Sequence, residues 1–202
     1  MRGLIYDATI LPLTSKWYAA VLGRLAPGSR LLDVGIGTGS ALLSNAPLLR
    51  ERDLTVVGVD IDADYIQRAT GRIATAGVGD RVTVRLESVY DHQDGPYDAV
   101  YFSASFMLMP DPPAALEHVC GLLSPGGRVF FTQTFQERRS RVLEKAKPLL
   151  GKLTTIEFGR VTYEGDFRDT VAAGGVDLLE LTTMSRRGTR TFRLAIGAPK
   201  TL

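Results

Sequence analysis

Cysteine occurs once in this chain of 202 residues, as Cys120, and histidine twice, as His92 and His118. One thiol excludes an intrachain disulfide, and so sparse a set of sulfur and imidazole donors offers no ligand spacing for a metal, so none is expected. Cys120 itself reads as a small apolar core residue. No run of about 18 apolar residues is present, as a membrane-spanning helix would need, and Met1-Arg2-Gly3-Leu4 lacks the apolar core of a signal peptide. The expectation is therefore a cytoplasmic protein without stable membrane insertion. An excess of one charge is missing too: 24 Lys and Arg face 22 Asp and Glu, a net charge of +2. That balance supplies no long-range field for nucleic acid, and no aromatics interleave with the basic residues to stack bases. Arg138, Arg139, Arg141, Lys145 and Lys147, and later Arg186, Arg187, Arg190 and Arg193, are read as solvated basic faces, with an anionic partner as the alternative. The oligomeric state is not encoded in any pattern visible here.

What is present is an alternation of short β-branched runs with amphipathic stretches. Arg30–Val34, Thr55–Val59, Val82–Leu86, Tyr97–Phe102 and Arg128–Thr132 read as five strands separated by helices, the pattern of a parallel sheet with helices on both faces. Asp62 can cap a helix that closes before Gly77 and carries Tyr65, Ile66, Ala69 and Ile73 on one face. A second helix starts near Pro112-Pro113 and is expected to reach about Leu123, before Ser124–Gly127 turns the chain. Beyond the fifth strand come a basic helical stretch near Arg138 to Leu150, an extended piece near Thr154 to Tyr163, and a short helix near Asp166 to Ala173. Two final strands join at Arg186–Thr189 as an antiparallel hairpin. Phe192, Leu194 and Ile196 alternate with Thr191, Arg193 and Ala195, as in a strand buried on one face. No repeat or linker interrupts this, so 1–202 reads as one domain: 1–27 as an N-terminal lid, 28–135 as a ligand-binding half, and 136–202 as a C-terminal half ending in the hairpin.

The strongest local signal is Leu31–Ser40, an apolar strand running into Gly35, Gly37 and Gly39 and then a helix. Glycines let the backbone turn sharply and admit a ligand where a Cβ would stand, while the helix start offers free N–H groups. Asp60, at the end of the next strand, lies where a carboxylate accepts hydrogen bonds from both ribose hydroxyls of an adenosine. A nicotinamide dinucleotide fits this pattern less well, because the dinucleotide fingerprint wants glycine where Ser40 stands. Asp33, two residues before the first glycine, is also unfavourable beside a pyrophosphate but matches a cationic ammonium. Charge matching thus points to S-adenosylmethionine, without a metal.

With Leu32–Gly39 and Val57–Asp62, and with Tyr97–Val100 and Leu122–Gly127 after them, the chain resembles the class I S-adenosylmethionine-dependent methyltransferase family. The resemblance implies a doubly wound, seven-stranded, mostly parallel α/β sheet with an antiparallel last strand, and S-adenosylhomocysteine as product. It implies that Asp33, Gly35 and Gly37 line the methionine end, that Thr38 and Gly39 belong to the same cofactor-binding loop, that Asp60 holds the ribose, and that Ile61 packs on the adenine. The family often places a carboxylate on the adenine amino group, whereas Ser88 stands at that position here, with Val89 as an apolar wall and Glu87 one residue away. Ser103 and Ala104 are expected beneath the sulfonium, and Asp98 is expected to be structural.

Methyl transfer needs a positioned nucleophile and, where that nucleophile carries a proton, a base. Tyr6 and Tyr18 in the lid, with Asp7, Leu11, Thr14 and Trp17 around them, are the base or orienting candidates there, each also readable as packing. His92 is the third candidate, with an exposed loop histidine as its alternative, and His118 reads as structural. After Phe102 the sequence runs Ser103–Pro110 without the polar Asn/Asp-Pro-Pro-aromatic clamp of enzymes that methylate amide and nucleobase nitrogens. A small or hydrophobic acceptor is therefore expected, and the alternatives are a protein or other macromolecular acceptor, or a catalytically silent module that binds the cofactor as a sensor or scaffold.

Overall fold

The computed structural model describes the backbone of residues 2–137 and 162–200, and the side chains of 11–137 and 162–200. The long helix α1 (Arg2–Leu22) leads into β1 (Arg30–Val34), two short helices α2 (Ser40–Leu43) and α3 (Ala46–Glu51), and β2 (Thr55–Asp60). Then come α4 (Ala63–Ala76), β3 (Val82–Leu86), β4 (Tyr97–Ser103), a single 3₁₀ turn at Phe106–Leu108, α5 (Pro112–Cys120) and β5 (Leu123–Gln136). The described chain closes with α6 (Glu164–Ala173), β6 (Val176–Arg187) and β7 (Arg190–Pro199). The basic stretch 138–150 and nearly all of the expected extended piece 154–163 lie outside the described residues.

The seven strands form one sheet in the order β3-β2-β1-β4-β5-β7-β6. β1 to β5 run parallel to one another, and β7 is antiparallel to both β5 and β6. This is the doubly wound architecture with an antiparallel last strand. Alternation along each strand sends side chains to two apolar layers. Leu31, Val56, Ala99, Tyr101 and Phe130 pack beneath Tyr18, Val21 and Leu22 of α1, Leu42 of α2, Leu49 of α3 and Ile73 of α4. Leu32, Val57, Val100, Phe102 and Phe131 pack on the other side, against Leu116 and Val119 of α5 and Phe167 and Val171 of α6. At the β4–β5 end of this second layer Phe102 and Phe131 stack at 5.5 Å, while Phe106 and Phe167 meet Phe131 edge-on, an arrangement that adds directional attraction to apolar burial. Cys120 packs against the same layer, and burial pushes its thiol up to about 11.

Helix α4 begins and ends where its sequence says it should. The Asp62 carboxylate accepts from the Tyr65 amide at 3.1 Å, and Gly77 takes the left-handed conformation at the C-cap. Ala69 and Ile73 are buried as expected, whereas Tyr65 on the first turn is exposed.

Three expectations are corrected. Helix α5, capped by Asp111 on the Ala114 amide, stops at Cys120, and Ser124–Gly127 is a bulge inside β5 rather than a turn before it. Tyr97 pairs with Leu123 and Ala99 with Arg128, so several extra residues of β5 are accommodated there, with Gly126 at φ +83°. β7 is covered on both faces rather than one, because an apolar layer lies on each side of it: Leu194 packs in the α1 layer and Ala195 in the α5/α6 layer, and Thr191 is buried as well. The C-terminal end of the supposed lid is core, with Trp17, Tyr18, Val21 and Leu22 of α1 buried against the sheet and Trp17 lying 6.0 Å from the Phe192 ring. No helix among the described residues is long and apolar enough to cross a membrane.

Candidate functional site

The glycine loop sits at the C-terminal ends of β1 and β4, beside the crevice that opens where strand order reverses in a doubly wound sheet. Gly35, Gly37 and Gly39 have φ of +76°, +60° and +68°. Each therefore occupies the left-handed region that side chains with a Cβ avoid. A Cβ at Gly37 would have no heavy atom within 4 Å, so this part of the loop faces open space, whereas one at Gly35 would meet Ser105 Cβ at 2.8 Å. Two of the loop's amides, those of Gly35 and Ile36, donate to the Val59 carbonyl and anchor the loop to β2. Thr38 and Ser40 hydroxyls lie 2.9 Å apart at the start of α2.

Carboxylates flank the loop on both sides. Asp60, partly buried at the end of β2, accepts from the Gly37 amide at 2.8 Å through Oδ2 and from the Asp62 amide at 3.0 Å through Oδ1. A carboxylate has about four lone-pair positions, so each oxygen retains room for a further donor. Asp33 is wholly buried, and its Oδ2 accepts from the Tyr18 hydroxyl at 2.8 Å. Its Oδ1 is buried with no hydrogen-bond partner among the described residues. Burial pushes the Asp33 carboxyl up to about 7, against the hydrogen bond from Tyr18, which lowers it. Tyr18 meets the Tyr101 ring edge-on at 5.0 Å, Tyr101 and Thr132 hydroxyls lie 2.7 Å apart, and Ser103 stands beside both phenols.

The other sequence-derived residues spread around this centre. Ile61 is 79% exposed, and Leu86 at the end of β3, in register with Asp60, is exposed as well. Ser88 accepts from the Tyr90 amide at 3.3 Å, while Val89 is buried in the α5/α6 layer and forms no open wall. Ser103 ends β4, Ala104 has φ +57°, and the Ser105 hydroxyl donates to the Val34 carbonyl at 2.5 Å, tying the β4 rim to the β1 rim. Asp98 accepts from the Arg30 amide at 2.8 Å, a structural tie between β4 and β1.

Two of the base candidates have other tasks. Burial and the neighbouring Asp33 charge hold the Tyr18 proton on well above the usual phenol range, and its hydroxyl is already donating. His92 is no exposed loop histidine. It is completely buried, its Nδ1 bonded to the Glu87 carboxylate and its Nε2 lying 2.8 Å from the Tyr97 hydroxyl. Glu87 is thereby committed to His92 rather than to an adenine. His118 closes the group by pairing Nε2 with the His92 carbonyl at 2.7 Å, so it is structural. The third candidate, Tyr6, lies in α1 with its side chain outside the described residues.

Sequence reasoning missed a cleft of about 440 Å³, lined among the described residues by Phe135, Glu137, Tyr163, Glu164 and Arg193. Its floor lies on β5 three residues past Thr132, the partner of Ser103, and so roughly 10 Å beyond the β4 rim at the usual rise per strand residue. Arg193 reaches Glu164 at 2.5 Å and lies over the Phe135 ring at 5.3 Å. Arg168 and Arg193 hold the Glu164 carboxyl below its ordinary value. The residues come from β5, α6 and β7, and the only local hint was the alternation that places Arg193 on the opposite face from Phe192.

The geometry fits a ligand carrying a cation near Asp33 and a diol near Asp60. A buried oxygen without a donor costs stability until a ligand supplies one, and the opening at Gly37 gives the main chain direct access to such a ligand. Comparison with known proteins agrees with this fit. A family model described as a methyltransferase domain matches residues 7–161. Methyltransferase GfsG of Streptomyces halstedii is 26% identical over 166 residues, 81% of this chain and 58% of that protein. Nocamycin O-methyltransferase of Saccharothrix syringae is 36% identical over 136 residues, 63% of this chain and 46% of that protein. The chain thus spans about half the length of these curated relatives. A solved S-adenosylmethionine-dependent methyltransferase from Geobacter sulfurreducens, in complex with S-adenosyl-L-homocysteine, shares the fold with a TM-score of 0.69 at 16% identity, over 94% of this chain and 91% of that one. With the sheet order, the three left-handed glycines and the paired aspartates, these matches place the chain in the class I S-adenosylmethionine-dependent methyltransferase family.

Proposed function

We propose that this chain binds S-adenosylmethionine at the C-terminal ends of β1, β2 and β4, beside the crevice where strand order reverses, and transfers its methyl group to a hydroxyl of a small molecule. The observation that carries the reading is the loop between Asp33 and Asp60, with its left-handed glycines, its open face at Gly37 and a carboxylate on either side. Nocamycin O-methyltransferase, by its name, methylates oxygen on a small molecule, which supports an acceptor of that class.

The cofactor supplies a methyl group on a cationic sulfur that is already activated for in-line attack. The chain's own work is positioning. Asp33 would hold the ammonium through its unpartnered oxygen, and Asp60 would hold the ribose hydroxyls while keeping the Gly37 and Asp62 amides. Ile61 would pack on the adenine, and Ser103 would lie at the methionine end. The cleft at Phe135, Tyr163 and Arg193 takes the acceptor, its largely polar lining and the Arg193–Glu164 ion pair meeting the acceptor's polar groups. Orientation of the reacting groups can supply a large part of the acceleration in a displacement of this kind. Neither Tyr18 nor His92 serves as base, so the proton that the acceptor hydroxyl loses as its oxygen–methyl bond forms and the sulfur–methyl bond breaks passes to solvent through the open cleft.

Incubation with methyl-labelled S-adenosylmethionine and a panel of phenols, quinols and macrolactone alcohols tests the reading. Label in a small-molecule methyl ether supports it. Cofactor binding with no label in any acceptor, or label in protein alone, contradicts it.

A further inference from the structure

The polar contact that closes the cofactor floor comes from a helix outside the glycine loop. Tyr18 is buried on α1 and donates to one oxygen of Asp33, fifteen residues away, while the second oxygen of that fully buried carboxylate has no partner among the described residues. Among the described residues the groups around it supply no cation: Tyr18 comes from α1, Tyr101 from β4 and the Asp60 carboxylate from β2, and the nearby Ser103 and Thr132 carry only hydroxyls. One oxygen of this carboxylate is thus held by Tyr18, and the other is left to a donor from a ligand.

We propose that Tyr18 is the positioning residue for the cofactor's amino-acid end: by holding one oxygen of Asp33 it aims the other at the ligand ammonium and docks α1 onto the filled site. The inference rests on the reading of Asp33 as the ammonium site. It adds a consequence for proton balance. In the free protein Asp33 keeps its proton to about pH 7, so ligand binding at neutral pH releases a proton from the Asp33 carboxyl to the buffer as the carboxylate and ammonium pair. The Tyr18 hydrogen bond favours the charged form, so it sets how much of that proton remains to be released.

Calorimetry in buffers of different ionisation enthalpy counts the proton directly, without turnover. With S-adenosylhomocysteine, the parent protein is expected to release most of a proton at about pH 5.5 and little at about pH 8.5, with weaker affinity at the lower pH. Methylthioadenosine, which lacks the amino-acid end, is expected to release none. Tyr18→Phe is expected to shift the release to higher pH and to weaken S-adenosylhomocysteine but not methylthioadenosine. Asp33→Asn, which keeps an acceptor for Tyr18, abolishes the release. A Tyr18→Phe protein that weakens both ligands equally and leaves the proton count unchanged overturns the inference. If the parent binds methylthioadenosine and S-adenosylhomocysteine with no proton release, the Tyr18–Asp33 linkage falls while the cofactor reading stands. If the parent binds neither, both fall.

Discussion

Replacing Asp33 with Asn is predicted to stabilise the ligand-free protein, and to do so more strongly as pH rises. The side chain is fully buried, and its carboxyl is raised from 3.8 to about 7 chiefly by desolvation. A raised carboxyl means that the folded state binds the proton more tightly than the unfolded chain. The cost to stability is therefore absent below about pH 4, grows between about pH 4 and 7, and is complete above about pH 7. At about 1.4 kcal/mol per pKa unit the full cost is about 4 kcal/mol. Asparagine carries no titrating proton and keeps an oxygen for the Tyr18 hydroxyl, but it leaves a buried amide N–H₂ without an acceptor, which returns about 1–3 kcal/mol of the gain. The net expectation is about 1–3 kcal/mol at about pH 8, or several degrees in melting temperature for a chain of this size, shrinking to nothing or reversing near pH 5. Thermal and urea unfolding of the ligand-free parent and variant at the two pH values measure this. A melting-temperature difference that is the same at both would refute the argument that ionised Asp33 is held at a cost.

The other predictions address separate parts of the site. Asp60→Ala should weaken S-adenosylhomocysteine at least tenfold by calorimetry, since it removes charge-assisted bonds worth about 1.5–3 kcal/mol each and also frees the Gly37 amide. Gly37→Ala should lower stability by only about 1–2 kcal/mol, the strain of a left-handed alanine, because no atom lies within 4 Å of the new Cβ, yet it should reduce cofactor affinity much more. Equal small effects on both would place the ligand elsewhere. His92→Gln should cost about 1–3 kcal/mol in urea unfolding by breaking the Glu87–His92–Tyr97 chain, with cofactor affinity nearly unchanged. Arg193→Ala should raise the Michaelis constant for the acceptor and leave that for S-adenosylmethionine alone.

Much of the fold was legible because its signals are local. Strand periodicity, the Asp62 cap, the Gly77 stop and the hairpin around Gly188 each involve residues within a few positions of one another. The glycine loop was legible for the same reason, as three left-handed residues leave a composition trace. Features that depend on tertiary partners were not. The burial of His92 needs Glu87 and Tyr97 to close on it from opposite sides, and nothing in the intervening loop signals that closure. Tyr18 read as a lid residue because its partner Asp33 lies on another element. Ser124–Gly127 has turn chemistry, but pairing of β4 with β5 on either side absorbs it as a bulge. The cleft at Arg193 combines three elements distant in sequence, so no window could have shown it.

The central claim is that the loop between Asp33 and Asp60 holds S-adenosylmethionine. Titration of the purified chain with S-adenosylmethionine, S-adenosylhomocysteine and NAD in parallel tests it most directly. The account predicts saturable binding of the first two at a single shared site and none of NAD. Binding of NAD in preference to either would contradict it.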